Sequence, residues 1–156
     1  MNLMDRRRFL TGAGVGALGL MLPSSVAAEA RPITMWKDPN CGCCGAWGER
    51  MQTLLRRRVN VVPTVDMPAQ KRRLGIPEDL WSCHSGMIDG IVTEGHVPAE
   101  DIQRLLAASS RPFAGLAVPG MPAGSPGMDV GHNMRQRYQV IGFGPAGRRA
   151  VFATHG

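Results

Sequence analysis

Three cysteines fall within four residues, Cys41-Gly42-Cys43-Cys44, between a short apolar run (Ile33, Thr34, Met35, Trp36) and a segment with helical periodicity. Sulfurs this dense must share the turn that leads from a strand into a helix. A single disulfide takes two of them and leaves one over, so the cluster points to soft-metal binding or thiol redox chemistry at a helix N-terminus.

The first thirty residues read as an address rather than as part of the fold. Arg6, Arg7 and Arg8 form a basic start, and Phe9 to Leu22 is an apolar, glycine-rich stretch too short to span a bilayer comfortably. Small-residue cleavage sites follow at Val26-Ala27-Ala28 and Ala28-Glu29-Ala30. Arg6-Arg7-Arg8-Phe9-Leu10 looks like a twin-arginine export signal, which implies a bacterial protein delivered to the periplasm. Asp5 and Thr11 depart from the usual residues of that signal, so twin-arginine and general secretory export both stay open. The expected organisation is a cleaved export signal, residues 1–30, and a single domain, residues 31–156, with no stable membrane association after cleavage.

Removing residues 1–30 takes away three Arg, one Asp and one Glu, so the formal charge falls from +6 to +5. The basic triplets Arg56-Arg57-Arg58 and Lys71-Arg72-Arg73 sit near the ends of predicted helices, where solvated cations complement the helix dipole. With one Tyr in the chain and no aromatic residues interleaved with the basic ones, nucleic acid is not an expected partner.

In an oxidising periplasm, four cysteines (Cys41, Cys43, Cys44, Cys83) would by default form two disulfides. That pattern fits badly. Neighbours such as Cys43 and Cys44 bridge only with strain, and a bridge from any one to Cys83 leaves two crowded thiols. Metal or redox use is therefore expected over stapling alone.

Along the chain the pattern is α/β. Ile33 to Trp36 reads as a strand, and Cys43 to Arg58 as a helix with Ala46, Trp47, Met51, Leu54 and Leu55 on its apolar stripe. Val59 to Val65 is a β-branched strand whose outer half Pro63 demotes to an edge or bulge. Pro68 to Leu74 is a short helix stopped by Gly75. A hairpin follows, Cys83 to Ile88 and Ile91 to His96 around Asp89-Gly90, and then a helix opened by Pro98 with Ile102, Leu105 and Leu106 on its buried side. The order βαβ, helix, β-hairpin, helix is that of a thioredoxin-like domain with a mixed central sheet, and the CxCC lies where such a domain keeps its reactive thiols.

With Asp89 and Gly90 central in the turn, Ile88 faces Ile91 and Cys83 faces His96, their Cβ atoms about 5 Å apart on one face. The start of that strand borders the N-terminus of the first helix in a thioredoxin-like sheet. Cys83, His84 and His96 are thus expected at the Cys41–Cys44 loop as ligands or as partners that orient ligands.

Beyond the third helix, residues 118–128 turn to Gly, Pro and Met, a composition that excludes regular helix or a central strand. Met121 and Met128, with His132 and Met134 further on, offer donors suited to Cu(I), against the plainer reading of Met as packing filler. Tyr138 to Phe143 and Arg148 to Ala153, joined through Gly144-Pro145-Ala146-Gly147, read as a C-terminal β-hairpin.

Taken in order, Cys41-Gly42-Cys43-Cys44, Ser82-Cys83-His84, Glu94-Gly95-His96-Val97-Pro98, Pro119-Gly120-Met121-Pro122 and Gly124-Ser125-Pro126-Gly127-Met128 resemble the CopG-type periplasmic copper-resistance proteins. These are also described as a thioredoxin-like metal-binding family of unknown function, and are distinct from the repressors that share the CopG name. The resemblance spans Ile33 to about Phe152, with Ser85 standing where a Thr is expected. It implies copper binding or handling in the periplasm, alongside copper efflux components, with the cysteines as principal ligands.

Donor chemistry agrees, since thiolates and thioethers prefer Cu(I), and bridging sulfur favours a small polynuclear cluster. Zinc is the rival metal, but adjacent Cys43 and Cys44 are strained as ligands of one tetrahedral ion. The expected metal ligands are Cys41, Cys43, Cys44 and Cys83, with His84, His96, Met121 and Met128 as further candidates. An enzymatic alternative uses Cys41 and Cys44 as the CxxC of a thiol-disulfide oxidoreductase, with Cys83 where the usual fold has a cis-proline. A copper oxidoreductase, in which thiol-bound copper changes oxidation state, combines the two.

Overall fold

The computed structural model describes residues 31–128 and 135–156; the expected export signal and the candidate donors His132 and Met134 lie outside the described residues. Among the described residues, seven strands form one mixed sheet in the order β2-β1-β3-β4-β5-β6-β7. They are β1 (Ile33–Lys37), β2 (Val59–Pro63), β3 (His84–Ile88), β4 (Ile91–Glu94), β5 (Gly115–Ala117), β6 (Tyr138–Phe143) and β7 (Arg149–His155). Three helices, α1 (Gly42–Leu55), α2 (Met67–Arg73) and α3 (Ala99–Ala107), complete the expected order of elements.

Sheet register follows from the turns. Asp89 and Gly90 both take positive φ, 46° and 82°, the backbone hand that matches the twist of a two-residue hairpin. Ser85 pairs with Glu94 and Ile88 with Ile91, as the sequence expectation requires. β1 lies between parallel β2 and antiparallel β3. Pro63 pairs at the end of β2, an edge strand of the sheet, where a missing N–H is tolerated.

The main core lies under α1 and α3, where Ile33, Met35, Trp47, Met51, Ile88, Ile102 and Leu105 are buried together. A smaller cluster of Ile76, Leu80, Val92, Ala117 and Phe143 forms a second core. Three expectations need correction. Ala46 and Leu54 are exposed, because the inward stripe of α1 runs through Cys44, Trp47, Gly48 and Met51 instead. Helix α1 ends at Leu55, where Arg56 turns left-handed (φ 51°) so that the chain can enter β2. Lys71 is not solvated but buried, facing Glu94.

Strand β5 went unread in the sequence because three residues beginning with Gly give no period. It pairs parallel to β4 after the α3 crossover and carries the closing hairpin β6–β7 onto the same sheet.

Candidate metal centre

Cys41 ends the β1–α1 connection as the residue that caps α1, its N–H bonded to the Asp38 carbonyl at 3.0 Å. From there the first helical turn puts Cys43 half-buried at the rim and Cys44 fully inside. Cys83, immediately before β3, reaches the same place, so the four sulfurs lie within 4.8 Å of one another. Cys41 and Cys44 are joined as a disulfide, whereas Cys43 and Cys83 are free thiols. The Cys43 Sγ stands 3.6 Å from the Cys41 Sγ and 4.0 Å from the Met121 Sδ.

Cys83 also belongs to a second group, with His84 and His96, whose donor atoms lie within 4.8 Å of one another. His96 Nδ1 is 2.9 Å from the Pro126 carbonyl, which can only accept, so Nδ1 carries the proton. Its Nε2 then presents a lone pair to the Cys83 Sγ at 3.1 Å. The Cys83 thiol donates there, and His84 Nδ1, 3.2 Å from the same sulfur, is left to donate to it. In that arrangement the buried His84 Nε2 is an unprotonated nitrogen with no hydrogen-bond partner. A metal ion replacing the Cys83 proton would meet a thiolate and an imidazole already aimed at each other, with the Pro126 carbonyl fixing the tautomer from behind.

Electrostatics keep these groups neutral in the metal-free protein. Burial, with the nearby Cys43 adding to it, pushes the Cys83 thiol up to about 12. Burial also holds both imidazoles below their ordinary value, and for His84 the neighbouring His96, Lys71 and Lys37 push in the same direction. Neutral imidazole is the form that binds metal. Trp47 closes the floor, its ring 4.5 Å from that of His84 and its Nε1–H bonded to the Val97 carbonyl at 3.0 Å.

The Gly/Pro/Met segment is an ordered loop laid over the centre. Gly127 (φ 86°) comes so close to α1 that a Cβ there would stand 2.7 Å from the Trp47 nitrogen, and this contact seats the Pro126 carbonyl on His96. Met121, 52% exposed, sits at the mouth beside Cys43. Met128 closes the loop through its backbone, its N–H donating to the Ser125 carbonyl (2.8 Å) and its carbonyl accepting from Gly124 (3.0 Å). Among the described hydrogen bonds its sulfur makes none with the thiols.

Sequence reasoning missed the group behind the centre. Glu94, fully buried, accepts from Lys71 Nζ, from the Ser82 N–H and from Ser85 Oγ (2.6 Å). Its signal was a carboxylate at the end of the otherwise uncharged strand Ile91–Glu94.

Residues 80–128 match the family described as "Protein of unknown function, DUF411". The chain is also similar to a solved structure named copper resistance protein CopG, form 1, with 42% sequence identity and a TM-score of 0.73, covering 81% of this chain and 98% of that one. Form 2 of the same protein gives 42% identity and a TM-score of 0.74, covering 82% of this chain and all of the other. The chain belongs to the CopG copper-resistance family. No match is found among curated proteins. CopG membership and the cysteine cluster together point to a copper-related role. Among the described residues, no helix is long and apolar enough to cross a membrane.

Proposed function

We propose that this CopG-family protein handles copper in the periplasm by holding Cu(I) in a sulfur-rich centre, after export directed by residues 1–30. The reading is carried by one observation, the four sulfurs of Cys41, Cys43, Cys44 and Cys83 within 4.8 Å of one another. Sulfur donors in that number suit a soft monovalent ion better than a hard cation. Cys83 is shared between the thiol group and the imidazole group, so its thiolate is placed to bridge two ions, with His96 and His84 serving the inner one. Met121 adds a thioether at the mouth, and Met128 is a further donor if the loop rearranges on loading. Zinc competes for the same donors. Copper ions are the cargo, and periplasmic efflux components are the class of partner that would accept it.

The Cys41–Cys44 disulfide makes capacity depend on redox state. A disulfide sulfur is a poor ligand compared with a thiolate. Oxidised protein keeps Cys43, Cys83 and the two imidazoles, and two-electron reduction adds two thiolates.

The same disulfide favours a second reading, thiol-disulfide exchange through a CxxC at a helix N-terminus. Against it, Cys83 stands beside the disulfide as a donor. One experiment separates the two. Reduced protein is titrated anaerobically with Cu(I) against a chelator, in parallel with Cys43→Ser and Cys83→Ser variants and an insulin-reduction assay. Copper retention that fails in both variants supports the centre; undiminished copper in both, with insulin reduction kept by them and lost in a Cys41→Ser variant, supports the oxidoreductase.

A further inference from the structure

Behind the centre, the carboxylate of Glu94 and the ammonium of Lys71 face each other with side chains 0% and 4% exposed. Replacing a buried ion pair with well-packed apolar residues is often neutral or stabilising, so stability alone does not explain one here. The carboxylate's other partners are informative. It accepts the N–H of Ser82, the residue before Cys83, and the hydroxyl of Ser85, two residues after it. Lys71 Nζ also donates to Ser85 Oγ at 3.3 Å.

Ser82 is held from two more sides. Its hydroxyl donates to the carbonyl of Gly120, next to Met121, and it packs on Gly95, where a Cβ would stand 2.5 Å from that hydroxyl. Gly95 (φ 68°) joins Glu94 to His96, and its N–H donates to the His84 carbonyl at 2.8 Å. Glu94 therefore lies in the strand that delivers His96 while gripping the backbone that delivers Cys83. Through Ser82 it also reaches the loop of Met121.

We infer that Glu94, oriented by Lys71, is the positioning residue of the centre: it sets the separation of the Cys83 sulfur from the His96 nitrogen and seats the Met121 loop. The inference rests on the copper reading for its consequence, but the positioning itself is a property of the metal-free protein.

The test uses the mature chain, reduced, with Glu94→Gln, Cys83→Ser, their combination, and a Lys71→Met/Glu94→Leu variant in which apolar groups replace the pair. Loss of such an orienting partner lowers metal affinity roughly 10- to 100-fold. That loss in Cu(I) affinity is expected for Glu94→Gln in the parent chain and is expected to shrink in the Cys83→Ser background, whose weaker binding is read against a weaker chelator, because most of the effect acts through that sulfur. Equal losses in both backgrounds, or no loss, overturn the inference. The apolar pair also leaves the Ser82 N–H and the Ser85 hydroxyl without their acceptor, so it is expected to lower the urea midpoint and to lose affinity to the same degree as Glu94→Gln; retained affinity there overturns the inference too. Iodoacetamide labelling of Cys83 without metal is expected to accelerate at least tenfold in Glu94→Gln, and an unchanged rate refutes positioning. If the parent chain binds no Cu(I) while labelling still accelerates, the copper reading fails and the positioning role stands.

Discussion

Gly127→Ala tests whether the Gly/Pro/Met loop is locked to the helix that carries the cysteines. Gly127 has φ 86°, and an L-residue in that left-handed region loses about 1–2 kcal/mol. The new Cβ would also stand 2.7 Å from the nitrogen and 3.1 Å from the Cα of Trp47, both backbone atoms of α1 that cannot rotate away. Forced overpacking of this kind costs about 1–3 kcal/mol, so the substitution should destabilise the seated loop by about 2–5 kcal/mol. Against a total stability of about 5–15 kcal/mol, that is a large fraction. Gly45→Ala is the control, since Gly45 lies within α1 and a Cβ there meets nothing within 4 Å. It should stabilise by about 0.5–1 kcal/mol. Urea unfolding followed by circular dichroism reads the first number, and the His96 ring resonances read whether the Pro126 carbonyl has left Nδ1. An unchanged midpoint together with unchanged His96 resonances in Gly127→Ala would refute the locked loop.

Acid should destabilise the metal-free protein. His84 and His96 both have lowered folded values, so the unfolded chain binds more protons below about pH 6.5, and the stability present above that pH is lost as pH falls. Urea midpoints at pH 7.5 and pH 5 should show the fall, and His84→Leu should flatten it; a flat parent profile would contradict the buried, neutral imidazoles. With its thiol raised from 9.0 to about 12, Cys83 should carry about a thousandfold less thiolate than an ordinary cysteine at neutral pH. Mass-spectrometric timing of iodoacetamide labelling should find it modified far more slowly than a model peptide thiol, and comparable rates would place it in solvent. His96→Ala leaves the Cys83 thiol and the Pro126 carbonyl without their partner, which costs about 1–3 kcal/mol by urea unfolding. A neutral result would mean that water replaces the ring freely.

Much of the architecture was legible because it rests on local rules. Asp89-Gly90 dictated the hairpin register, and that register alone brought Cys83 opposite His96. Pro63 marked the edge strand. What stayed hidden depends on contacts distant in sequence. Lys71 looked like one cation of a solvated triplet, and only the docking of α2 on the sheet turns it inward to Glu94. Strand β5 is defined by its neighbours rather than by its residues, and it lies between the α3 crossover and the Gly/Pro loop. The Pro126 carbonyl, which fixes the His96 tautomer, carries no side-chain signal at all. Among the sulfurs, the sequence gathered the donors, but which two pair as the disulfide was open until the geometry of Cys41 and Cys44 was known.

Copper K-edge absorption on reduced protein loaded anaerobically with Cu(I) and freed of loose metal tests the central claim most directly. The account predicts monovalent copper retained in a shell dominated by sulfur, with a nitrogen contribution that falls in His96→Ala. Copper washed out by desalting, or bound in a shell of oxygen and nitrogen alone, would contradict it.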